Sequence, residues 1–475
     1  MAEEKVLDGT NIAFDANLDC LSAVASNLGV AGVRYIAHKP VNQFSSESSV
    51  RFSNNNNGSS YLYLPHTSLE VKRRIVKGDR ELIKEQDKNK TKSPTNSSAS
   101  KLDTGTDVTD DGSKQTSDGL DGPVNGLFHA LFDNVQLSLN SQVVSNISGY
   151  SFKAMANLLL ETSDAVKKTL LKSVMFEWDT PGAMNDSNLT ELATNKDFKK
   201  RYKRCKNSKT VVLRGFVDID FLKQTRYVLQ TINLDLILHS TSNAFRLMCG
   251  EVPLPDYREE ILDYTLYLCH VQVANVAMLA NQQLFEENKV AKYPYIKEET
   301  RKFSVASGST SFFIENMWQG STPQRMLMFF IDGEAFSGSM ARNQYDYFHH
   351  WLTQARITVN GQNCPTGTLN MDFEKDDFAQ AYEVLFRTKP ERDGLSPTFS
   401  HGIDYEAFKS GCFMIHTNFQ VQSLFGDFFP TNLSGSVRCE LRFGRPLSRT
   451  IILFAIGYFG CQVDMDFARN IFIRQ

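Results

Sequence analysis

The stretch GSVRCELRFGRPLSRTIILFAIGYFGCQVDMD, residues 435–466, constrains the fold most. It holds the longest apolar run of the chain, from Thr450 to Val463, directly behind a strictly alternating segment. A membrane-spanning helix needs about 20 consecutive apolar residues, and this run stops at Gln462 and Asp464 with Gly457 and Gly460 inside it, so it is too short to span. Val437, Cys439, Leu441 and Phe443 alternate with Arg438, Glu440 and Arg442, the two-residue period of a sheet with one wet face. Gly444, Arg445 and Pro446 break the pattern, after which Ile451, Ile452, Phe454, Ile456, Tyr458 and Phe459 favour a second strand. The reading is two consecutive antiparallel strands, the first half-exposed with Arg438, Glu440 and Arg442 outward, the second covered on both faces.

A chain of 475 residues exceeds what one core of roughly 250–300 residues fills, so two units are expected. The net charge of −3 excludes a general polyanion binder and leaves electrostatics local. The start, MAEEKVLDGTNIAFDANLD, lacks a basic-then-apolar leader, so cytosolic synthesis is the expectation. The eight cysteines occur singly, without CxxC, which fits buried free thiols better than zinc or a disulfide framework. Phenylalanine is abundant, 34 residues against 3 tryptophans, as suits sandwiches filled by large side chains.

Along the chain, residues 1–30 read as an arm. Residues 31–295 read as a first β unit, within which 78–122 is a Ser-, Thr-, Asp- and Lys-rich insertion with almost nothing to bury, expected to be disordered. In that unit, Phe152, Met155, Leu158 and Leu159 predict a short helix, and LDYTLYLCHVQVANVAML reads as a strand. Residues 296–475 form the second unit, with several strands and one helical island, DDFAQAYEVLFRT, placed on a loop and with the carboxylates before it as caps. Many short strands and few helices predict a mainly β fold of sandwich or barrel type.

Candidate chemistry is sparse. In DFKKRYKRCKNSK, Lys199, Lys200, Arg201, Lys203, Arg204 and Lys206 could neutralise phosphates with Tyr202 available to stack. Phe198, Tyr202 and Cys205, however, recur at helical spacing and would dock one side, which favours a solvated helix or loop just before the strand at Val211. No two histidines lie two apart on a strand to hold a metal, and His349 and His350 would face opposite ways there. GSTSF is not a nucleophile elbow, and neither a P-loop nor a dinucleotide fingerprint occurs. Hence no catalytic residue, cofactor or metal is assigned.

The order of VNGLFHALFDNVQLSLNSQVVS, YSFKAMANLLLET, KRYKRCKNSKTVVLRGFVDIDFLKQTRYVLQTINLDLILH, LDYTLYLCHVQVANVAML, AKYPYIKEETRKFSVASGSTSFFIENMWQGSTPQRMLMFFIDGEAFSGS and VRCELRFGRPLSRTIILFAI resembles the major capsid proteins of Polinton/Maverick virus-like transposons and related adintoviruses. The resemblance covers roughly residues 31–475 outside the polar insertion. It implies a double jelly-roll, two tandem eight-stranded sandwiches with short helices in loops, and not an enzyme. It further implies homotrimeric, pseudo-hexameric capsomers that tile an icosahedral virion shell and meet neighbouring capsomers and a minor, penton-like capsid protein. Packaged DNA would be touched at most indirectly, after synthesis in the host cytoplasm and assembly there or in the nucleus. The alternatives are a lectin-like or cupin-like binding module and a minor capsid protein.

Overall fold

A computed structural model describes residues 29–45, 47–55, 60–77, 122–189, 192–230, 232–249, 256–386, 400–419, 433–466 and 468–474. The arm at 1–30 lies outside these residues but for its last two positions, and so does the polar insertion at 78–122 but for its last one.

In the first half the strands are β1 (Val30–His38), β2 (Val50–Asn54), β3 (Ser60–Leu62), β4 (Ser68–Lys77), β5 (Gly122–Pro123), β6 (Phe132–Leu139), β7 (Gln142–Ser148), β8 (Val211–Phe216), β9 (Leu234–Ser240), β10 (Leu247–Met248) and β11 (Tyr257–Val273). The second half holds β12 (Ala291–Val305), β13 (Ser311–Thr322), β14 (Arg325–Asp332), β15 (Leu352–Val359), β16 (Gln362–Asn370), β17 (Ile415–Asn418), β18 (Leu433–Phe443), β19 (Ile451–Met465) and β20 (Ile471–Arg474). The helices are α1 (Leu127–Ala130), α2 (Tyr150–Glu161), α3 (Asp164–Lys168), α4 (Lys196–Cys205), α5 (Asn243–Arg246), α6 (Asn275–Glu286), α7 (Gly333–Ser337), α8 (Ala379–Leu385) and α9 (Tyr405–Ser410).

The pairing identifies the architecture. The first half forms one sheet in the order β1-β11-β4-β8 and a second in the order β2-β9-β6-β7. The second half forms β12-β19-β14-β17 and β13-β18-β15-β16. Setting aside the short β3, β5, β10 and β20, the described residues of each half give eight strands that run 1-8-3-6 in one sheet and 2-7-4-5 in the other. That order is the jelly-roll, which folds eight antiparallel strands into two facing sheets. The protein is therefore a double jelly-roll, and one strand order serves both halves.

The opening stretch becomes β18 and β19. Arg438 and Arg442 are exposed and Glu440 half-buried, while Val437, Cys439, Leu441 and Phe443 fill the core. The next strand is covered almost throughout. The two do not pair with each other: β18 lies between β13 and β15, and β19 between β12 and β14 in the facing sheet. The short β20 follows and pairs with the end of β19. A long apolar run is what a central strand covered from both sides requires.

Two local readings are corrected. VANVAML does not continue β11; after Val273 the chain turns into α6, where Val276, Met278, Leu279 and Phe285 sit at helical rather than alternating spacing. The acidic residues before α8 do not cap it. Its N-cap is Phe378 with no side-chain bond, and Asp372 and Asp377 instead pair their backbones, with Asp372 Oδ1 accepting from Glu374 N at 3.1 Å. As for the division between units, β12 begins at Ala291 and so runs across the 295/296 boundary read from the sequence.

Seven cysteines are free and buried among the described residues. No helix is long and apolar enough to cross a membrane among them.

Candidate functional site

The most constructed polar region of the molecule lies where the two barrels meet. It is built on α2, which opens at Gly149 in the left-handed region (φ 69). A Cβ there would approach Phe454 to 2.8 Å and Lys302 to 2.9 Å, so only glycine suits this entry. From Tyr150 to Leu160 every residue of α2 is buried, because the first barrel covers one side and the second barrel the other. Phe152 sits 5.7 Å from Phe454 and 5.4 Å from Phe336, ring centre to ring centre.

Lys153, in the middle of this apolar helix, is fully buried. Its Nζ donates to the Asp218 carbonyl at 2.6 Å, lies 2.8 Å from Asp218 Oδ2, and meets Glu298 of the second barrel. Lys223 reaches the same two carboxylates at 2.8 and 2.9 Å and Glu161 at 3.5 Å, and Arg325 stands 3.7 Å from Glu161. Asn157 donates to Asp218 at 2.9 Å and accepts from Tyr458 OH at 3.0 Å. Asp220 accepts from Glu298 N at 3.0 Å and from the Ser145 hydroxyl.

Charges removed from water must be paired or neutralised. Burial pushes the Asp218 carboxyl up, but the Lys153 and Lys223 ammoniums outweigh it and hold the group well below the usual range. Glu161 is also held low, since Lys223 and Arg325 overcome its burial. Burial would lower Lys223, yet Asp218, Glu161 and Glu298 raise it well above the ordinary value. Asp220 differs: burial and then the Glu298 charge push it up to about 6. Glu161, Asp218, Asp220 and Glu298 thus face Lys153, Lys223 and Arg325, one negative charge in surplus, and Asp220 is the carboxyl that holds its proton to the higher pH. This arrangement ties the two barrels together.

The predicted basic segment forms α4, capped by Asn195, whose side chain accepts from Phe198 N. Arg201 is fully buried: its guanidinium bonds Asp179 Oδ1 at 2.7 Å and the Pro123 carbonyl at 3.0 Å. Asp179 Oδ2 in turn accepts from Asn343 of the second barrel at 3.3 Å. Arg201 is therefore an internal strut and offers nothing to a phosphate. It takes the inward place at i+3 from Phe198, while Tyr202 is only half-buried. Lys200, Lys203 and Lys206 are exposed, with Lys200 bonded to Asp197 at 2.6 Å; Lys199 is half-buried, and Arg204 donates to the Lys172 carbonyl at 2.7 Å. Sequence reasoning missed the junction cluster. Its one legible signal was Lys153, a lone cation inside an otherwise apolar helix.

His349 and His350 belong to a turn, not a strand. His349 is buried and stacks on Phe373 with ring centres 3.7 Å apart, and His350 has φ 47. Among the described residues no three His, Cys, Asp or Glu side chains are grouped to hold a metal ion. A cleft of about 760 Å³ opens beside α2, lined by Leu158, Leu171, Val174, Phe216 and Leu222 together with Asn157, Glu161, Asp218 and Lys223 of the junction.

The fold and this junction define a class, the double jelly-roll proteins. Solved structures place the chain within that fold. A chain of the Sputnik virophage superposes with TM-score 0.62 at 11% identity, covering 100% of this chain and 94% of its own. A chain of the PBCV-1 virus capsid gives 0.54 at 10% identity over 96% of this chain and 100% of its own. The Faustovirus major capsid protein gives 0.54 at 9% identity over 93% and 92%. In sequence, the chain is 24% identical over 268 residues to an uncharacterized protein of Caenorhabditis elegans, a match covering 56% of this chain and 61% of that protein. The matched region thus spans about three fifths of the length of that curated relative. No protein-family description matches the chain.

Proposed function

We propose that the protein is a structural major capsid protein of the Polinton, Maverick and adintovirus kind, with no enzymatic activity, forming homotrimeric capsomers of pseudo-hexagonal outline that tile an icosahedral shell. The observation that carries this reading is the repeated strand order, 1-8-3-6 with 2-7-4-5, in two barrels joined by a buried junction. Two similar units held rigidly side by side give a subunit three copies of which present six near-equivalent barrels around one axis. Likeness in fold to a Faustovirus major capsid protein and to a PBCV-1 capsid chain supports the same reading. Neighbouring capsomers and a penton-like protein are its partners. Contact with packaged DNA would fall to Lys199, Lys200, Lys203, Arg204 and Lys206, without the buried Arg201. Weighing the purified full chain in solution and imaging it by electron microscopy tests the proposal. Particles with three-fold symmetry are expected, and a monomer at every concentration would refute it.

The apolar cleft beside α2 favours a second reading, a binding module, since pockets of this size and lining take small ligands. A stoichiometric sugar or metal in the purified protein, with no assembly, would select that reading.

A further inference from the structure

The strands β1 and β11 are antiparallel neighbours whose register ends with Val30 opposite Val273. The chain before β1 and the chain after β11 therefore leave the first barrel side by side. Just beyond that last rung, Ala274 N donates to the Gly29 carbonyl at 2.9 Å, and Ala274 is the N-cap of α6. Residues 1–28, which lie outside the described residues, thus join the structure at the foot of α6, the helix that connects one barrel to the next.

α6 is a helix without a cover. None of its 12 residues is buried, although Val276, Met278, Leu279, Leu284 and Phe285 are large and apolar. Its inner side is loosely seated: Asn281 donates to Tyr61 OH at 3.1 Å, and Met278 and Phe285 line a crevice of about 510 Å³ with Leu229 and Met465. Its outer side is open, with Val276, Leu279 and Leu284 80%, 61% and 43% exposed. At 3.6 residues per turn these three and Ala280 fall within one arc of about 140°. A helix of this length is marginal alone in water, and packing of an apolar face is what stabilises it.

The sequence ahead of Gly29 carries the pattern of a partner helix. Phe14, Leu18, Leu21, Ala25 and Leu28 follow one another at intervals of four, three, four and three, the seam along which two helices pair. Thr10 and Asn11 precede the stripe and Gly29 closes it, residue types that start and stop helices. As a helix, Phe14 to Leu28 would rise about 22 Å, enough to run the length of α6 at about 18 Å.

We propose that residues 14–28 form a helix that runs back from Gly29 and packs antiparallel on the outer face of α6 in the same chain. The contact fastens the N-terminal segment to the link between the barrels. It lies within one chain and does not depend on the capsid reading.

The test places p-benzoylphenylalanine at position 284 of the full chain. That position is about 15 Å along α6 from the Gly29 contact, so anchoring at Gly29 alone does not bring the segment there. Copies labelled with ¹⁴N and ¹⁵N are mixed before irradiation, and the cross-links are mapped by mass spectrometry. Same-isotope links from position 284 to residues 14–22 are expected. Without the photoprobe, Leu18→Asp/Leu21→Asp should speed amide hydrogen exchange over residues 275–286 by about tenfold or more, while β11 and β19 keep their protection. Mixed-isotope links overturn the proposal and give the face to a second copy. Links elsewhere, no links, or unchanged exchange in the double variant overturn it as well.

Discussion

Replacing Lys153 with methionine tests the junction most directly. The substitution keeps the length and the helix propensity of the side chain and removes the ammonium that bonds the Asp218 carbonyl and both carboxylates. Lys223 then faces Asp218, Glu298 and Glu161 with only Arg325 to help. Removing one partner of a buried ion pair costs about 3–5 kcal/mol because the remaining charge stays out of water. At about 2–4 °C per kcal/mol for domains of this size, the unfolding temperature should fall by roughly 10 °C at pH 7. The stranded carboxylates can regain neutrality by binding protons, so the deficit should narrow between pH 7 and pH 5. Adding Glu298→Gln should restore much of the loss, a coupling that independent sites would not show. Thermal unfolding followed by circular dichroism at both pH values reads all three outcomes. A Lys153→Met protein within about 0.5 kcal/mol of wild type at pH 7 would show that Lys153 does not hold the barrels together.

Other substitutions test separate parts of the structure. Asp220 has a folded-state pKa raised to about 6, so its penalty is absent below the unfolded value of about 4 and complete above 6; stability should therefore fall as pH rises through that window, and Asp220→Asn should flatten the slope seen in pH-dependent denaturant titrations. Phe454→Asp puts a charge at a fully buried position between Phe329 and Phe152, and should leave no soluble folded protein; a soluble oligomer from this variant would refute the placement of β19. Arg201→Met should lower the unfolding temperature by several degrees by stranding Asp179, while Lys203→Met should leave it unchanged. Gly149→Ala should destabilise through both its positive φ and its clash with Phe454, by about 1–3 kcal/mol in a urea titration.

Much of this fold is legible in the sequence because burial on one face of a strand leaves a period of two, and burial on both faces leaves a continuous apolar run. Val437 to Phe443 and Ile451 to Val463 show those two patterns, and the helical spacing of Phe152, Met155, Leu158 and Leu159 announces α2. Local pattern carries no information on which strands become neighbours. That β18 and β19 enter opposite sheets, and that VANVAML folds as a helix after the longest strand, depended on contacts distant in sequence. The basic run was legible as a helix with one docked side, but Arg201 turned inward because Asp179 and the Pro123 carbonyl, remote in sequence, supply its partners.

The sequence by itself determined a mainly β chain with half-exposed and fully covered strands, since composition, period and spacing are local properties. Tertiary structure decided where the charges are held. Lys153, Asp218, Lys223 and Glu298 look like ordinary polar residues in their own segments and become a connected cluster only when α2, the turn after β8 and β12 converge. Coulomb attraction and desolvation depend on distances and burial in three dimensions, and spacing along the chain does not fix either one.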